Sequence, residues 1–321
     1  MEYLLGWDKV NPVPGGRVVA LGAFDGVHRG HLALLEMARA AAEETGAAPS
    51  VLTFEPTPVE VFGRLGRPDV RLTLAPERRE LLAAAGVATV VEARFEEALR
   101  SMEPEEFARE VLTARLAAKV VVASETHTFG RGGRGDMWRL TDLGCELGFT
   151  VRVLPLLSQG TEPVSSTRIR ELLWAGQVEQ ANDLLGRVYT CRGPVVTGQG
   201  RGQGLGFATA NVAVALPKLV PAEGVYAGWA SGPGLPPAAP RPAAAPRPAA
   251  LVVGASPTFL PEPEARRLEV HVLDLAADLV GQELTVGFRR YLRPQRRFAS
   301  EAELIRQIQV DVAQVRAAAA G

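Results

Sequence analysis

Gly22-Ala23-Phe24-Asp25-Gly26-Val27-His28-Arg29-Gly30-His31 decides the fold of the first half of the chain. Residues 17–21 before it are short and apolar, as a buried parallel strand is, and Leu32, Leu35, Met37 and Ala38 after it recur at roughly helical spacing. The stretch reads as strand, glycine turn, helix. His28 and His31 lie three residues apart at the helix start, so they share a face and can reach one ligand together. The first helical amides add partial positive charge beside them, which suits a phosphate. Gly30 between them keeps side-chain bulk out of the way. Taken alone, the pattern is also compatible with an ordinary turn carrying two incidental histidines.

Val164-Ser165-Ser166-Thr167-Arg168-Ile169-Arg170 is a second anion-directed start, heading an apolar-periodic segment through Leu172, Leu173 and Val178. Arginine donates in a fork that fits phosphate oxygens, and a hydroxyl-rich helix start binds anions itself. An ordinary Ser/Thr cap with solvated arginines is the plain alternative. In the second half, glycine occupies positions 198, 200, 202, 204 and 206, followed by Phe207-Ala208-Thr209-Ala210-Asn211. A strand with glycine at every second position would be bare on one face, so this run reads as a loop using its backbone amides, able to cradle phosphate, or as a flexible linker.

The 321 residues suffice for two domains with separate cores. With 35 Lys+Arg against 36 Asp+Glu, no field of one sign points to nucleic acid or a membrane surface. Cys145 and Cys191 are the only cysteines, too few for a disulfide framework and without metal spacing. No signal peptide or transmembrane-length apolar run is visible, so a cytoplasmic protein acting on small molecules, monomeric or weakly homo-oligomeric, is expected.

Up to about residue 186 strands (17–23, 50–54, 88–92, 119–123, 151–156) alternate with helical stretches (76–85, 104–116, 137–147). That grammar predicts a doubly wound parallel sheet with ligands at the carboxyl ends of its strands. After Gly186-Arg187, short strands at 189–196, 225–230, 250–254, 268–273 and 283–289 run without helices until Ser300, which predicts an antiparallel β-barrel. Glu301, Leu304, Ile305, Ile308, Val312 and Val315 then mark an amphipathic C-terminal helix. Residues 232–249, almost entirely Pro, Ala, Gly and Arg, read as an exposed loop inside the barrel region. The expected domains are thus 1–186 and 187–321.

Together H-x-G-H and S-S-T-x-x-R resemble the HxGH nucleotidyltransferase superfamily. More closely, residues 17–187 resemble the FMN adenylyltransferase module of bacterial bifunctional riboflavin kinase/FAD synthetases, whose order Thr53-Phe54-Glu55-Pro56, Phe129-Gly130-Arg131-Gly132 and Leu185-Gly186-Arg187 follow. Thr209 and Asn211, Gly224-Val225-Tyr226-Ala227, Ser256-Pro257-Thr258-Phe259 and Leu268-Glu269-Val270-His271 resemble the riboflavin kinase domain in the same way. The resemblance implies a Rossmann-like domain followed by a kinase barrel. It implies phosphorylation of riboflavin to FMN and adenylylation of FMN to FAD, with ATP as co-substrate and Mg²⁺ as cofactor.

By this resemblance His28, His31 and Arg170 carry adenylyl transfer, and Gly22, Phe24, Asp25, Gly30, Ser166, Thr167 and Arg168 bind the nucleotide; a single carboxylate in a turn, as at Asp25, is as often a local cap. Gly202, Gly204 and Gly206 cradle phosphate in the second half, Thr209 and Asn211 hold Mg²⁺, and Glu269 is the base. His271 is expected to support the barrel. The chain departs from the family pattern at Thr57, where the family has histidine. It also departs at Ser124-Glu125-Thr126-His127 for G-E-N/D-F, at Ala208 for proline and at Val252 for asparagine. A kinase with a degraded adenylyltransferase half, or a flavin-binding protein without turnover, remain alternatives. An aminoacyl-tRNA synthetase also uses H-x-G-H, but its paired-lysine signature and a basic RNA-binding stretch are absent.

Overall fold

The structure is a computed structural model that describes residues 1–63, 65–197, 208–233, 235, 246–254, 265–275 and 277–320. Gly202, Gly204 and Gly206 lie outside the described residues, as does 236–245 of the Pro/Ala-rich stretch. The chain forms two compact units, Met1–Ser166 and Thr167–Gly321.

The first unit contains, in order, β1 (Glu2–Leu5), β2 (Arg17–Leu21), α1 (Arg29–Thr45), β3 (Ala48–Glu55), α2 (Pro58–Phe62), α3 (Ala75–Ala84) and β4 (Thr89–Arg94). Then follow α4 (Glu97–Arg100), α5 (Pro104–Glu106) continued by a π-helical stretch Phe107–Arg115, β5 (Ala118–Ser124), α6 (Met137–Leu147), β6 (Thr150–Leu154) and a small hairpin of β7 (Ser158–Gln159) and β8 (Glu162–Pro163). Six strands pair in parallel in the order β1-β4-β3-β2-β5-β6. All of β2 is buried, and successive residues feed opposite faces. Val19, Leu21, Leu52, Val91 and Val121 join Phe107, Leu112 and Leu140 in one core, while Val18, Ala20, Val51, Val90 and Val120 join Leu34, Ala38 and Leu82 in the other. From β2 the order runs to β3 on one side and β5 on the other, a topological switch that opens a crevice at the carboxyl ends.

The sequence pattern does not announce β1. Four residues at a sheet edge, paired only with β4, are too short for a periodic signal.

The second unit begins after the first residue of α7 (Ser166–Trp174) and continues with α8 (Val178–Leu185), β9 (Tyr189–Val196), β10 (Ala210–Ala215), β11 (Gly224–Ser231), β12 (Arg247–Val253), β13 (Ala265–Val272), β14 (Glu283–Arg293) and α9 (Glu301–Ala320). The strands close an antiparallel barrel in the order β10-β13-β12-β11-β14-β9. Val212, Val214, Leu251, Leu268, Val270, Leu284, Val286 and Phe288 are fully buried. On the opposite faces of β11 and β12, Ala227 and Ala250 leave room for α9, which packs Val315 against them and Leu273. Arg293 fixes the helix through Asp311 at 2.6 Å.

Two details differ from the sequence reading. Helices α7 and α8, placed by that reading in domain 1–186, pack within the barrel unit: Asn182 donates to the Phe288 carbonyl at 2.8 Å and accepts from the Tyr189 amide at 2.6 Å, and the Ala222 amide donates to the Leu173 carbonyl. The last three residues of the expected loop 232–249 are not loop: Arg247, Pro248 and Ala249 belong to β12 opposite Ala230, Trp229 and Gly228. Ala249 is fully buried, and the Pro248 carbonyl accepts from the Leu273 amide where the pairing with β13 ends. Composition alone does not separate a proline at a strand end from one in a loop.

Candidate functional site

The turn after β2 holds two bulky residues in the left-handed region, Phe24 at φ 51° and Val27 at φ 38°, around Gly26 at φ 87°. Each non-glycine residue held there costs on the order of 1–3 kcal/mol, so the surroundings must over-determine it. Burial supplies part of this, since Phe24 and Val27 are almost wholly enclosed. Hydrogen bonds supply the rest. The buried Asp25 carboxylate accepts from the Leu72 amide at 3.2 Å and from the Thr73 amide at 2.9 Å and hydroxyl at 3.2 Å. The Asp25 carbonyl accepts from Ser166 Oγ at 2.8 Å, and the Gly26 amide donates to Thr73 Oγ1 at 3.0 Å. Asp25, read from sequence as a nucleotide contact, thus braces the turn with both carboxylate oxygens.

His28 is the N-cap of α1, its Nδ1 accepting from the His31 amide at 3.3 Å. The two imidazoles stack with centroids 3.7 Å apart and planes 17° from parallel, and Phe24 lies 5.0 Å from the His31 ring. A Cβ at Gly30 would stand 3.2 Å from His28 Cε1 and Nδ1 and 3.4 Å from the Val164 carbonyl, and one at Gly22 would crowd the Phe24 ring. These glycines let the rings close up. The result is a partly exposed His31 over a buried His28 at the start of a 17-residue helix, a place where donors and the helix dipole meet an anion.

The structure brings Gly22, Phe24, Asp25, His28, Gly30, His31 and Ser166 together in the first unit. Thr167, Arg168 and Arg170 fall in the second unit on α7, where Thr167 is exposed, Arg168 pairs with Glu171 at 3.3 Å and Arg170 is buried. Thr57 caps α2: its amide and hydroxyl donate to Glu60 at 2.8 and 2.6 Å. After β5, the Glu125 and His127 amides close a turn on the Leu154 and Ser124 carbonyls, and burial pushes the His127 imidazole down to about 4.

In the barrel, Leu268 and Val270 are fully buried and Glu269 between them is exposed, so its side chain leaves on the other face. Glu269 stands opposite Asn211 of β10 and Val252 of β12 in register. Directly paired residues share a face, which places the carboxylate beside the amide. Thr209 precedes β10, exposed, and His271 Nδ1 meets the Ala208 carbonyl at 2.8 Å, anchoring that segment. A cleft of about 990 Å³ beside this segment is lined among others by Thr197, Thr209, Asn211, His271, Asp274 and Arg316, but not by Glu269.

Sequence reasoning missed β10 as a strand and missed Leu72 and Thr73. Residues 69–73 alternate polar and apolar types in Asp69, Val70, Arg71, Leu72 and Thr73, a short signal that does not reveal which distant group their amides hold.

The family model described as FAD synthetase matches residues 10–168, and that described as riboflavin kinase matches 185–319. A protein named bifunctional riboflavin kinase/FMN adenylyltransferase from Escherichia coli K12 is 33% identical over 97% of this chain and 96% of its own length. One of the same name from Pseudomonas fluorescens is 36% identical over 100% of this chain and 98% of its own. A crystal structure titled as a macrolide-efflux protein from Streptococcus pneumoniae superposes with a TM-score of 0.85 at 27% identity, covering 98% of this chain and 99% of that one. Among the described residues no helix is long and apolar enough to cross a membrane. With both halves matched in the same order over nearly its full length, the chain belongs to the bifunctional riboflavin kinase/FMN adenylyltransferase family.

Proposed function

We propose that the chain phosphorylates riboflavin to FMN with ATP and then adenylylates FMN to FAD, releasing pyrophosphate. The observation that supports this is the match of one chain to two family domains, each carrying a separate cluster of the residues that the sequence reading singled out. One is the stacked His28–His31 pair at the start of α1, and the other is the Asn211–Glu269 pair on the barrel. By the sequence reading the activities divide at residue 186, with adenylyl transfer assigned to 1–186 and riboflavin phosphorylation to 187–321, the connecting helices α7 and α8 packing with the barrel. The work is cytoplasmic and calls on no nucleic acid or membrane.

In adenylyl transfer the FMN phosphate attacks the α-phosphorus of ATP and pyrophosphate leaves, with no covalent enzyme intermediate. The protein must hold two mutually repelling anions and stabilise the charge that develops between them. His28 and His31 supply donors from a fixed stack, Gly22, Phe24 and Gly30 shape the floor, and Asp25 and Ser166 hold the turn in place. Family resemblance assigns Thr167, Arg168 and Arg170 to the same step.

In the kinase step the terminal hydroxyl of riboflavin loses its proton to Glu269 as it attacks the γ-phosphorus, and ADP leaves. Thr209 and Asn211 offer two neutral oxygens, the hard donors a Mg²⁺ ion accepts while keeping waters and substrate phosphates as its other ligands. Bound there, the ion neutralises phosphate charge. Gly202, Gly204 and Gly206 are assigned to phosphate by resemblance.

Incubation of the pure protein with riboflavin, ATP and Mg²⁺, with the flavins separated over time, tests this reading. FMN should rise and then convert to FAD. FMN alone would favour a monofunctional kinase, and neither product a binding protein.

A further inference from the structure

Beneath the turn that carries the histidines lies a buried set of charges that neither motif accounts for. Arg78 of α3 is wholly enclosed, and its guanidinium reaches acceptors on three separate segments. Nη1 donates to the Ala23 carbonyl at 3.2 Å and the Phe54 carbonyl at 3.1 Å, while Nη2 donates to Glu55 at 2.9 Å and Glu92 at 2.8 Å. Ala23 follows β2, Phe54 and Glu55 end β3, and Glu92 lies in β4. One planar fork therefore pins the carboxyl ends of three adjacent strands, which a lysine ammonium with three donors does not reproduce.

The network closes on itself. Glu55 also takes a bidentate pair from Arg71 at 2.7 and 2.9 Å, and Arg71 directly precedes Leu72 and Thr73, whose amides hold Asp25. Arg79 supports Glu92 from the other side at 3.0 Å. Burial opposes the Glu92 charge, but the nearby Tyr3 hydroxyl and the guanidinium groups of Arg78 and Arg79 outweigh it and hold the carboxyl below its usual range. Both ends of the strained Ala23–Asp25 turn are thus anchored in one set of paired charges, at the carbonyl of Ala23 and the carboxylate of Asp25. The Ala23 carbonyl takes a second bond from Thr53 Oγ1 at 3.0 Å. The next residue is Phe24, whose left-handed backbone sets the ring that lies against His31.

We propose that Arg78 is a positioning residue for adenylyl transfer: by fixing the Ala23 carbonyl it sets the Phe24 ring and, through it, the place of the His31 imidazole. The inference rests on the adenylyltransferase reading of the first half. Arg78 does not touch the reacting atoms; it acts through the turn.

The test is Arg78→Lys in the full chain, with FAD formed from supplied FMN and FMN formed from riboflavin measured separately. Misplacing the turn should lower kcat for FAD formation by about 10²-fold while both KM values stay within about threefold and the kinase rate within about twofold. The imidazole NMR resonances of His28 and His31 should shift. If the lysine variant does not fold, Thr53→Val removes the other bond to the Ala23 carbonyl without changing side-chain volume much. A drop in kcat of about fivefold at constant KM is then expected. A lowered melting temperature with unchanged kcat and unchanged imidazole resonances would overturn the proposal, as would equal loss of both activities. A parent protein that makes no FAD defeats the functional reading instead; the imidazole resonances in the variant then decide the positioning claim on their own.

Discussion

Gly30→Ala separates the role of space at the histidine pair from the role of helix stability. Gly30 lies in the first turn of α1 with ordinary helical geometry, so alanine there gains up to about 1 kcal/mol of helix propensity. Against this, the new methyl would sit 3.2 Å from two atoms of the His28 ring and 3.4 Å from the Val164 carbonyl, where ordinary contact needs roughly 3.5–4 Å. The ring must give by a few tenths of an ångström, and it is stacked on His31 at 3.7 Å. The two effects nearly cancel in stability, so the first thermal transition should stay within about 2–4 °C of the parent. They do not cancel in catalysis. If a full ångström of misplacement costs about 10²-fold, half of that costs about tenfold, near 1.4 kcal/mol of barrier. Pyrophosphate release from FMN and ATP, with differential scanning fluorimetry on the same samples, makes the measurement. Adenylyl transfer within about twofold of the parent would refute the claim that Gly30 keeps space for the stacked rings.

Glu269→Gln keeps shape and hydrogen bonding but cannot accept the hydroxyl proton, so riboflavin phosphorylation should fall about 10²- to 10⁴-fold with substrate binding retained. A rate within about threefold of the parent, with folding verified by circular dichroism, rejects the base assignment. Excising residues 236–245, short of Arg247 because that residue opens β12, should leave both activities intact, since their Pro/Ala-rich composition reads as an exposed loop and loop length enters stability only logarithmically. Loss of riboflavin binding would show that the segment covers a site. His127 is held neutral by burial, its folded value being about 4 against an ordinary value near 6.5. The stability this group contributes is complete above about pH 6.5 and is lost as pH falls toward 4, because the unfolded chain binds the proton first. His127→Phe should therefore lose less melting temperature than the parent between about pH 7.5 and 5, and an identical loss in both would contradict the assignment.

What the sequence made legible was local. His28, Gly30 and His31 announce themselves because the strand before them, the turn and the helix after them lie within one short stretch, and the face shared by residues three apart follows from helix geometry. The exposed placement of Glu269 between buried Leu268 and Val270 follows from strand alternation. The supports of the site were not legible. Arg78 meets Ala23 across 55 positions and Asp25 meets Thr73 across 48, and no periodicity marks such pairs. The carboxylate of Asp25 read either as a ligand contact or as a local cap, and its partners, two amides and a hydroxyl of a distant segment, could not be foreseen for the same reason. β10 was hidden because its first residues also carry the Thr209–Asn211 motif, and Arg247 to Ala249 because small and proline residues at a strand end have the composition of a loop.

The central claim, two reactions on two separate sites, is tested most directly by the product pattern of His31→Ala supplied with riboflavin, ATP and Mg²⁺. The account predicts that FMN forms at close to the parent rate and accumulates, with FAD absent even when FMN is added in excess. Equal loss of FMN and FAD formation in a folded His31→Ala protein, or FAD formation at the parent rate, would contradict it.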